Sequence, residues 1–189
     1  MYIRTIIYPC TLPHYIFSDV KPHNFVLTQS SRVQLIDFGS AAPLLPRRDD
    51  AVRLIPRRHC LVPCGTCDYI SPEILEAHEA ALVALELSDE TDEDNLGSRP
   101  SGMSGYEDAG YGVETDWWSM GAMLYEMAYG VAPFFAKDIR QTYQKIVDFR
   151  TSLRFPATEH VSERLRDLLQ QFVFLVGISN QRIHNPLNP

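Results

Sequence analysis

The sequence predicts a mostly α-helical fold with a small β-hairpin region near its start. Two short β-prone runs, Phe25-Val26-Leu27 and Val33-Gln34-Leu35-Ile36, flank the turn residues Gln29-Ser30-Ser31. Residues 114–128 hold Trp117, Trp118, Met120, Ala122, Met123, Leu124, Tyr125, Met127 and Ala128, with almost no polar face, which predicts a helix buried on all sides. Residues 138–148 and 161–175 read as two further helices. A hairpin followed by a run of helices implies a helical body.

Taken in order, residues 14–42 read as loop, strand, turn and strand. Residues 43–72, rich in Pro, Arg and Cys, read as a long ordered loop. Residues 86–112 begin with Glu86, Asp89, Glu90, Asp92, Glu93 and Asp94 and continue rich in Gly and Ser. Such a composition buries too little apolar surface to order itself, so a flexible acidic insertion is expected there. Gly130 and Pro133 end the central helix. The next helix is expected to bury a face made of Ile139, Tyr143, Ile146 and Val147.

The 189 residues suffice for one domain with a real core, and 45% hydrophobic with 22% charged residues is ordinary for a globular chain. A net charge of −7 argues against nucleic acid or an anionic membrane as a partner. No apolar run reaches the roughly 18 residues of a membrane span. The apolar start, Met1 to Phe17, contains Pro9, Pro13 and a single basic residue, Arg4, and has no small-residue cleavage pattern, which argues against a signal peptide. Four cysteines without a secretory signal predict free thiols and a cytoplasmic location, with the nucleus as the alternative.

The chemistry-bearing residues cluster early. Asp19, Lys21 and Asn24 fall within six positions, and Asp37 ends an apolar strand just before a turn at Gly39. A carboxylate can take a proton from a hydroxyl, an ammonium can sit against a phosphate, and carboxylate and amide oxygens suit Mg²⁺. Phosphoryl transfer needs these parts and little covalent chemistry. Taken singly, each residue has a plainer reading: a loop Asp or Asn forms turns, and Asp116 before a helical run is an N-cap candidate. His59, Cys60, Cys64 and Cys67 have a spacing that could bind Zn²⁺, although no second distant pair accompanies them. Arg47, Arg48, Arg53, Arg57 and Arg58 form a basic stretch whose acidic counterpart is the insertion, and two solvated loops account for both.

In combination these segments resemble the eukaryotic serine/threonine protein kinases. Phe17-Ser18-Asp19-Val20-Lys21-Pro22-His23-Asn24 is similar to the kinase catalytic loop, and Asp37-Phe38-Gly39 to the metal-binding motif that follows it. Gly65-Thr66-Cys67-Asp68-Tyr69-Ile70-Ser71-Pro72-Glu73 resembles the substrate-positioning segment and its closing motif. Asp116-Trp117-Trp118-Ser119-Met120-Gly121 resembles the opening of the central buried helix, and Gly130-Val131-Ala132-Pro133-Phe134 the turn after it. The flavour is that of the AGC group, nearest to kinases of the myotonic-dystrophy and Rho-associated type.

The resemblance implies a protein-kinase-like C-lobe over residues 17–184, with an atypical segment at 1–16 and a tail at 185–189. It implies ATP and Mg²⁺ as cofactors and proteins as substrates, with any regulatory partner unspecified. Asp19 would be the base for the substrate hydroxyl, Lys21 would steady the transferring phosphate, and Thr66 would bridge the two. Asn24 and Asp37 would hold Mg²⁺. Glu73 would form a buried ion pair with Arg182, and Asp116 would accept hydrogen bonds from catalytic-loop N–H groups.

The chain also departs from the family pattern. Phe17 and Ser18 stand where His-Arg is usual. The missing Arg normally pairs with a phosphate on the activation segment, and the usual acceptor position of that phosphate is Val62, which has no hydroxyl. Phosphorylation there is therefore not expected to act as a switch. No G-x-G-x-x-G occurs. The three lysines are Lys21, Lys137 and Lys145, none of them placed as the strand lysine of an ATP-binding lobe. The N-lobe is thus expected to be absent, both ends read as truncations, and the chain alone is expected to be inactive. The competing reading is a non-catalytic kinase-like binding module, a pseudokinase remnant.

Overall fold

The computed structural model describes residues 15–45, 53–60, 62–63, 65–89, 110–157 and 160–184. Side chains are described through residue 83 of the first helix and residue 173 of the last.

Among the described residues, four short strands precede the α-helices. β1 (Tyr15–Ile16) pairs antiparallel with β4 (Ala42–Pro43), placing Ile16 opposite Ala42. β2 (Phe25–Leu27) and β3 (Val33–Leu35) form the expected hairpin, with Phe25 opposite Leu35. Its turn closes through Ser31 N–H donating to the Thr28 carbonyl (2.9 Å) and Thr28 N–H to that of Arg32 (2.8 Å), with Ser31 at φ 58°.

Five α-helices follow among the described residues: α1 (Pro72–Asp89), α2 (Glu114–Tyr129), α3 (Ile139–Val147), α4 (Phe149–Ser152) and α5 (Glu163–His184). The helices expected at 114–128 and 138–148 are there within a residue or two, and the last runs past its expected end at 175. No described helix is long and apolar enough to cross a membrane.

Helix α1 has no counterpart in the sequence reading. Its Ala, Leu and Glu content favours a helix without leaving a clear apolar stripe. It continues to Asp89, so residues 86–89, expected in the flexible insertion, are helical. At the insertion's other end Tyr111 is buried, and its carbonyl accepts from Ile55 N–H (3.0 Å). Residues 90–109 lie outside the described residues.

Helix α2 is not buried all round. Trp118, Met120, Ala122, Met123 and Tyr125 are buried, but Met127 is 73% and Trp117 40% exposed. Trp117 and Met127 fall within about 80° of one another around the helix axis, so one side is left uncovered, while the first turn, with Thr115 and Asp116, is buried. Trp117 lies flat against Phe172 of α5, with ring centroids 6.0 Å apart. On α3 the buried positions are Thr142 and Ile146, while Ile139 and Val147 are exposed. Thr142 is tolerated inside because its hydroxyl donates to the Asp138 carbonyl (3.3 Å) and accepts from Ala136 N–H (3.2 Å).

The main core centres on Trp118, stacked on Phe134 (5.4 Å) and edge-on to Phe149 (5.3 Å), with Ile55, Ile70, Ile74 and Tyr111 around it. A second cluster of Phe17, Val20, Leu35, Tyr69, Met120, Ala122 and Met123 wedges the 17–24 loop between the hairpin and α2. This cluster sets the height of the candidate site above the central helix.

Candidate active site

The 17–24 loop is pinned from below. Phe17 and Ser18 N–H groups each donate to a different carboxylate oxygen of Asp116, both at 2.9 Å. Ser18 sits at φ 62°, a conformation that costs a non-glycine residue energy and needs such an anchor. Its hydroxyl is buried without a hydrogen-bond partner among the described residues.

Burial pushes the Asp116 carboxyl up to about 6; the two N–H donors oppose the rise and Glu114 adds to it. The folded chain therefore keeps this proton up to about pH 6, whereas an unfolded Asp loses it near pH 4. Native molecules bind more protons between those values, so the Asp116 contribution to stability falls as pH rises from about 4 to about 6, by roughly 3 kcal/mol at most. Urea denaturation of wild type and Asp116→Asn across this range should show the gap in stability shifting against the wild type as pH rises. A gap that stays constant with pH contradicts it.

Above this anchor, Asp19, Lys21, Asn24 and Thr66 meet. Lys21 Nζ lies 2.7 Å from Asp19 Oδ2 and donates to Thr66 Oγ1 at 2.9 Å. Thr66 Oγ1 donates to Asp19 Oδ1 at 3.3 Å. Asn24 Nδ2 donates to the Asp19 carbonyl (2.8 Å) and to Asp19 Oδ2 (3.3 Å). Asp19 and Lys21 side chains keep 15% and 23% exposure, so both remain within reach of an incoming group. The loop is rigid because Pro22 opens a 3-10 turn, closed by Asn24 N–H donating to the Lys21 carbonyl (3.0 Å).

Asp37 arrives from β3, which Asn24 ties in place by accepting Ile36 N–H (2.8 Å). Asp37 is exposed, sits at φ 62°, and accepts Gly39 N–H on Oδ1 (3.1 Å). With both amide protons of Asn24 turned to Asp19, its Oδ1 is left as an acceptor. Among the described residues nothing donates to Oδ2 of Asp37. Two uncommitted hard oxygens suit Mg²⁺, so the donor set fits the ion.

Thr66 reaches the loop because Gly65 packs on it. Gly65 has φ 113°, and a β-carbon there would lie 2.8 Å from the Ser18 carbonyl oxygen. The segment beyond is held by Tyr69. Its N–H donates to the Thr66 carbonyl (2.9 Å), its hydroxyl to Glu126 (2.5 Å), and its carbonyl accepts from Ser119 Oγ (2.8 Å). Burial, then Glu126, raises the Tyr69 hydroxyl pKa, so it stays a donor. The sequence reading did not single out Ser119, Tyr69 or Glu126; nothing local marks a helix serine or glutamate as a tie to a segment some 50 residues away.

Glu73 is buried at the start of α1, and burial pushes its carboxyl up to about 7, with Glu114 and Glu76 adding to the rise. The Ser71 hydroxyl and Glu73's own amide temper this, but neither carboxylate oxygen has a well-aligned partner among the described residues. Arg182 lies on α5, and its side chain is outside the described residues. Cys60 is buried and Cys67 half-buried, Cys64 is outside the described residues, and no group of three ligating His, Cys, Asp or Glu side chains forms among the described residues.

Comparison with known proteins gives the arrangement a context. The protein kinase domain family model matches residues 9–84 and 104–182. The chain is 36% identical over 161 residues to human serine/threonine-protein kinase MRCK beta, covering 85% of this chain and 7% of that protein. It is 37% identical over 160 residues to human myotonin-protein kinase, covering 84% of this chain and 20% of that protein. To mouse citron Rho-interacting kinase it is 33% identical over 159 residues, covering 84% of this chain and 6% of that protein. The chain thus spans a fifth or less of the length of these curated relatives.

Proposed function

Because the chain belongs to the protein kinase domain family, we propose that it is the C-terminal, acceptor-binding lobe of a serine/threonine kinase of the AGC group, which transfers the γ-phosphate of ATP to protein Ser or Thr hydroxyls. The observation that carries this reading is the junction at Thr66, where one hydroxyl contacts both Asp19 and Lys21.

Asp19 takes the proton of the acceptor hydroxyl as its oxygen bonds to the γ-phosphorus and the bond to the ADP oxygen breaks. Lys21 neutralises charge on the transferring group. Thr66 holds the pair and the acceptor segment in one register. Asn24 and Asp37 would hold Mg²⁺, which supplies charge neutralisation on the phosphates when bound. We infer a cytoplasmic or nuclear setting from the cysteine usage of the sequence. We also infer that Arg182 supplies the cation that Glu73 needs. Breaking a buried pair costs about 3–5 kcal/mol, so Glu73→Gln and Arg182→Met should each destabilise by about that much, and the double variant by little more. Additive losses in urea denaturation count against the pair.

The 189 residues contain neither a Gly-rich phosphate loop nor a strand lysine, so this chain by itself transfers no phosphate. The test incubates it with Mg·ATP and protein acceptors, alone and fused behind the ATP-binding lobe of a related kinase. Transfer only by the fusion is expected. Transfer by the isolated chain overturns the inactivity; a folded, ATP-binding fusion without transfer favours the non-catalytic binding module instead.

A further inference from the structure

We infer that Gly110-Tyr111-Gly112 is a built-in clasp that holds the described parts of the activation segment (37–45, 53–60, 62–63 and 65–72) in their docked position with no phosphate added. The term activation segment rests on the kinase reading; the clasp itself rests on contacts.

The middle of the segment is sewn down by main-chain bonds. Leu45 N–H donates to the Leu54 carbonyl (2.8 Å), and the next residue, Ile55, donates to the Tyr111 carbonyl (3.0 Å). Leu54, Ile55 and Tyr111 are all buried, at 9%, 0% and 2% exposure. The approach is close enough to require glycine on both sides of Tyr111. A β-carbon at residue 110 would overlap the Ile55 carbonyl oxygen, and one at residue 112 would lie 2.8 Å from the Arg53 carbonyl oxygen.

From the clasp the chain runs straight into the anchor of the catalytic loop. The Gly112 carbonyl accepts from Thr115 N–H (3.3 Å) and Thr115 Oγ1 (3.0 Å), one residue before Asp116. The segment's far end rests on the same loop through Gly65 against Ser18 and Thr66 against Lys21. The middle and the far end of the segment are thus both referred to the 17–24 loop, and none of these contacts needs an added phosphate. Nothing at Ser18 can receive an anion, since it is uncharged and 4% exposed, and Val62, 69% exposed, carries no hydroxyl to modify. Apolar burial and main-chain bonds do here what a charge-assisted phosphate contact would otherwise do.

Amide hydrogen exchange on the 189-residue chain tests this without needing catalysis, so it stands or falls separately from the kinase activity. In phosphatase-treated protein the Ile55 amide should exchange at least 100-fold more slowly than an unstructured peptide amide, and phosphatase treatment should leave that rate unchanged. In Gly110→Ala its protection should drop at least tenfold and trypsin cleavage after Arg58 should accelerate comparably, with Met120 and Met123 amides of α2 unaffected. An Ile55 amide that exchanges freely while α2 stays protected, or that gains protection only on phosphorylation, overturns the inference. Should Gly110→Ala unfold the whole chain, the wild-type rates alone decide.

Discussion

Asp19→Asn, placed in the chain fused behind an ATP-binding lobe, should lower kcat for phosphoryl transfer by about 10²- to 10⁴-fold while KM for ATP moves by no more than about twofold. The amide keeps the size of the carboxylate but cannot take the acceptor's proton. Its oxygen can still accept from Thr66, and although its NH2 cannot accept from Asn24 as Oδ2 does, Asn24 keeps its shorter bond to the main-chain carbonyl of residue 19, which holds the loop. Lys21 loses its ion-pair partner but keeps Thr66. The interaction removed is one used as the hydroxyl attacks, which is why the loss falls on kcat. Steady-state kinetics over a range of ATP concentrations check it; a loss confined to KM would mean that Asp19 serves binding.

Trp118→Ala should destabilise the chain by about 3–5 kcal/mol. The indole is 0% exposed and contacts both Phe134 and Phe149, so truncation leaves a cavity walled by rigid rings that cannot close in. Against a typical total of 5–15 kcal/mol, that is a large share of the stability. Urea denaturation followed by circular dichroism measures it. A loss under about 1 kcal/mol would show that the site can collapse and that the core does not hinge on this ring.

The legible parts of the sequence were those where local pattern and tertiary role coincide. The hairpin at 25–35 was readable because its strands and turn are contiguous. Helix α2 was readable because Glu114–Tyr129 is apolar over most of its length, although periodicity could not reveal that Trp117 and Met127 face outward. Helix α1 was missed because high helix propensity without a stripe leaves no period to detect. The residues of the candidate site were proposed from the resemblance of their segments to kinase motifs. How they are held could not be read that way. Gly65 on Ser18, Ser119 on Tyr69 and Tyr111 on Ile55 join residues 47 to 56 positions apart, and only the packed chain brings them together. The same limit applies to α3, where Thr142 rather than an apolar neighbour fills the inward position because its hydroxyl is satisfied locally.

The central claim is that Asp19, Lys21, Asn24, Asp37 and Thr66 form the acceptor half of a phosphoryl-transfer site. Its most direct test follows γ-phosphate from labelled ATP into protein Ser and Thr by the fused chain, with and without Mg²⁺. The account predicts phosphoserine or phosphothreonine only with Mg²⁺, at a rate well above that of the Asp19→Asn variant. A folded fusion that binds Mg·ATP yet labels Ser and Thr no faster than Asp19→Asn contradicts it.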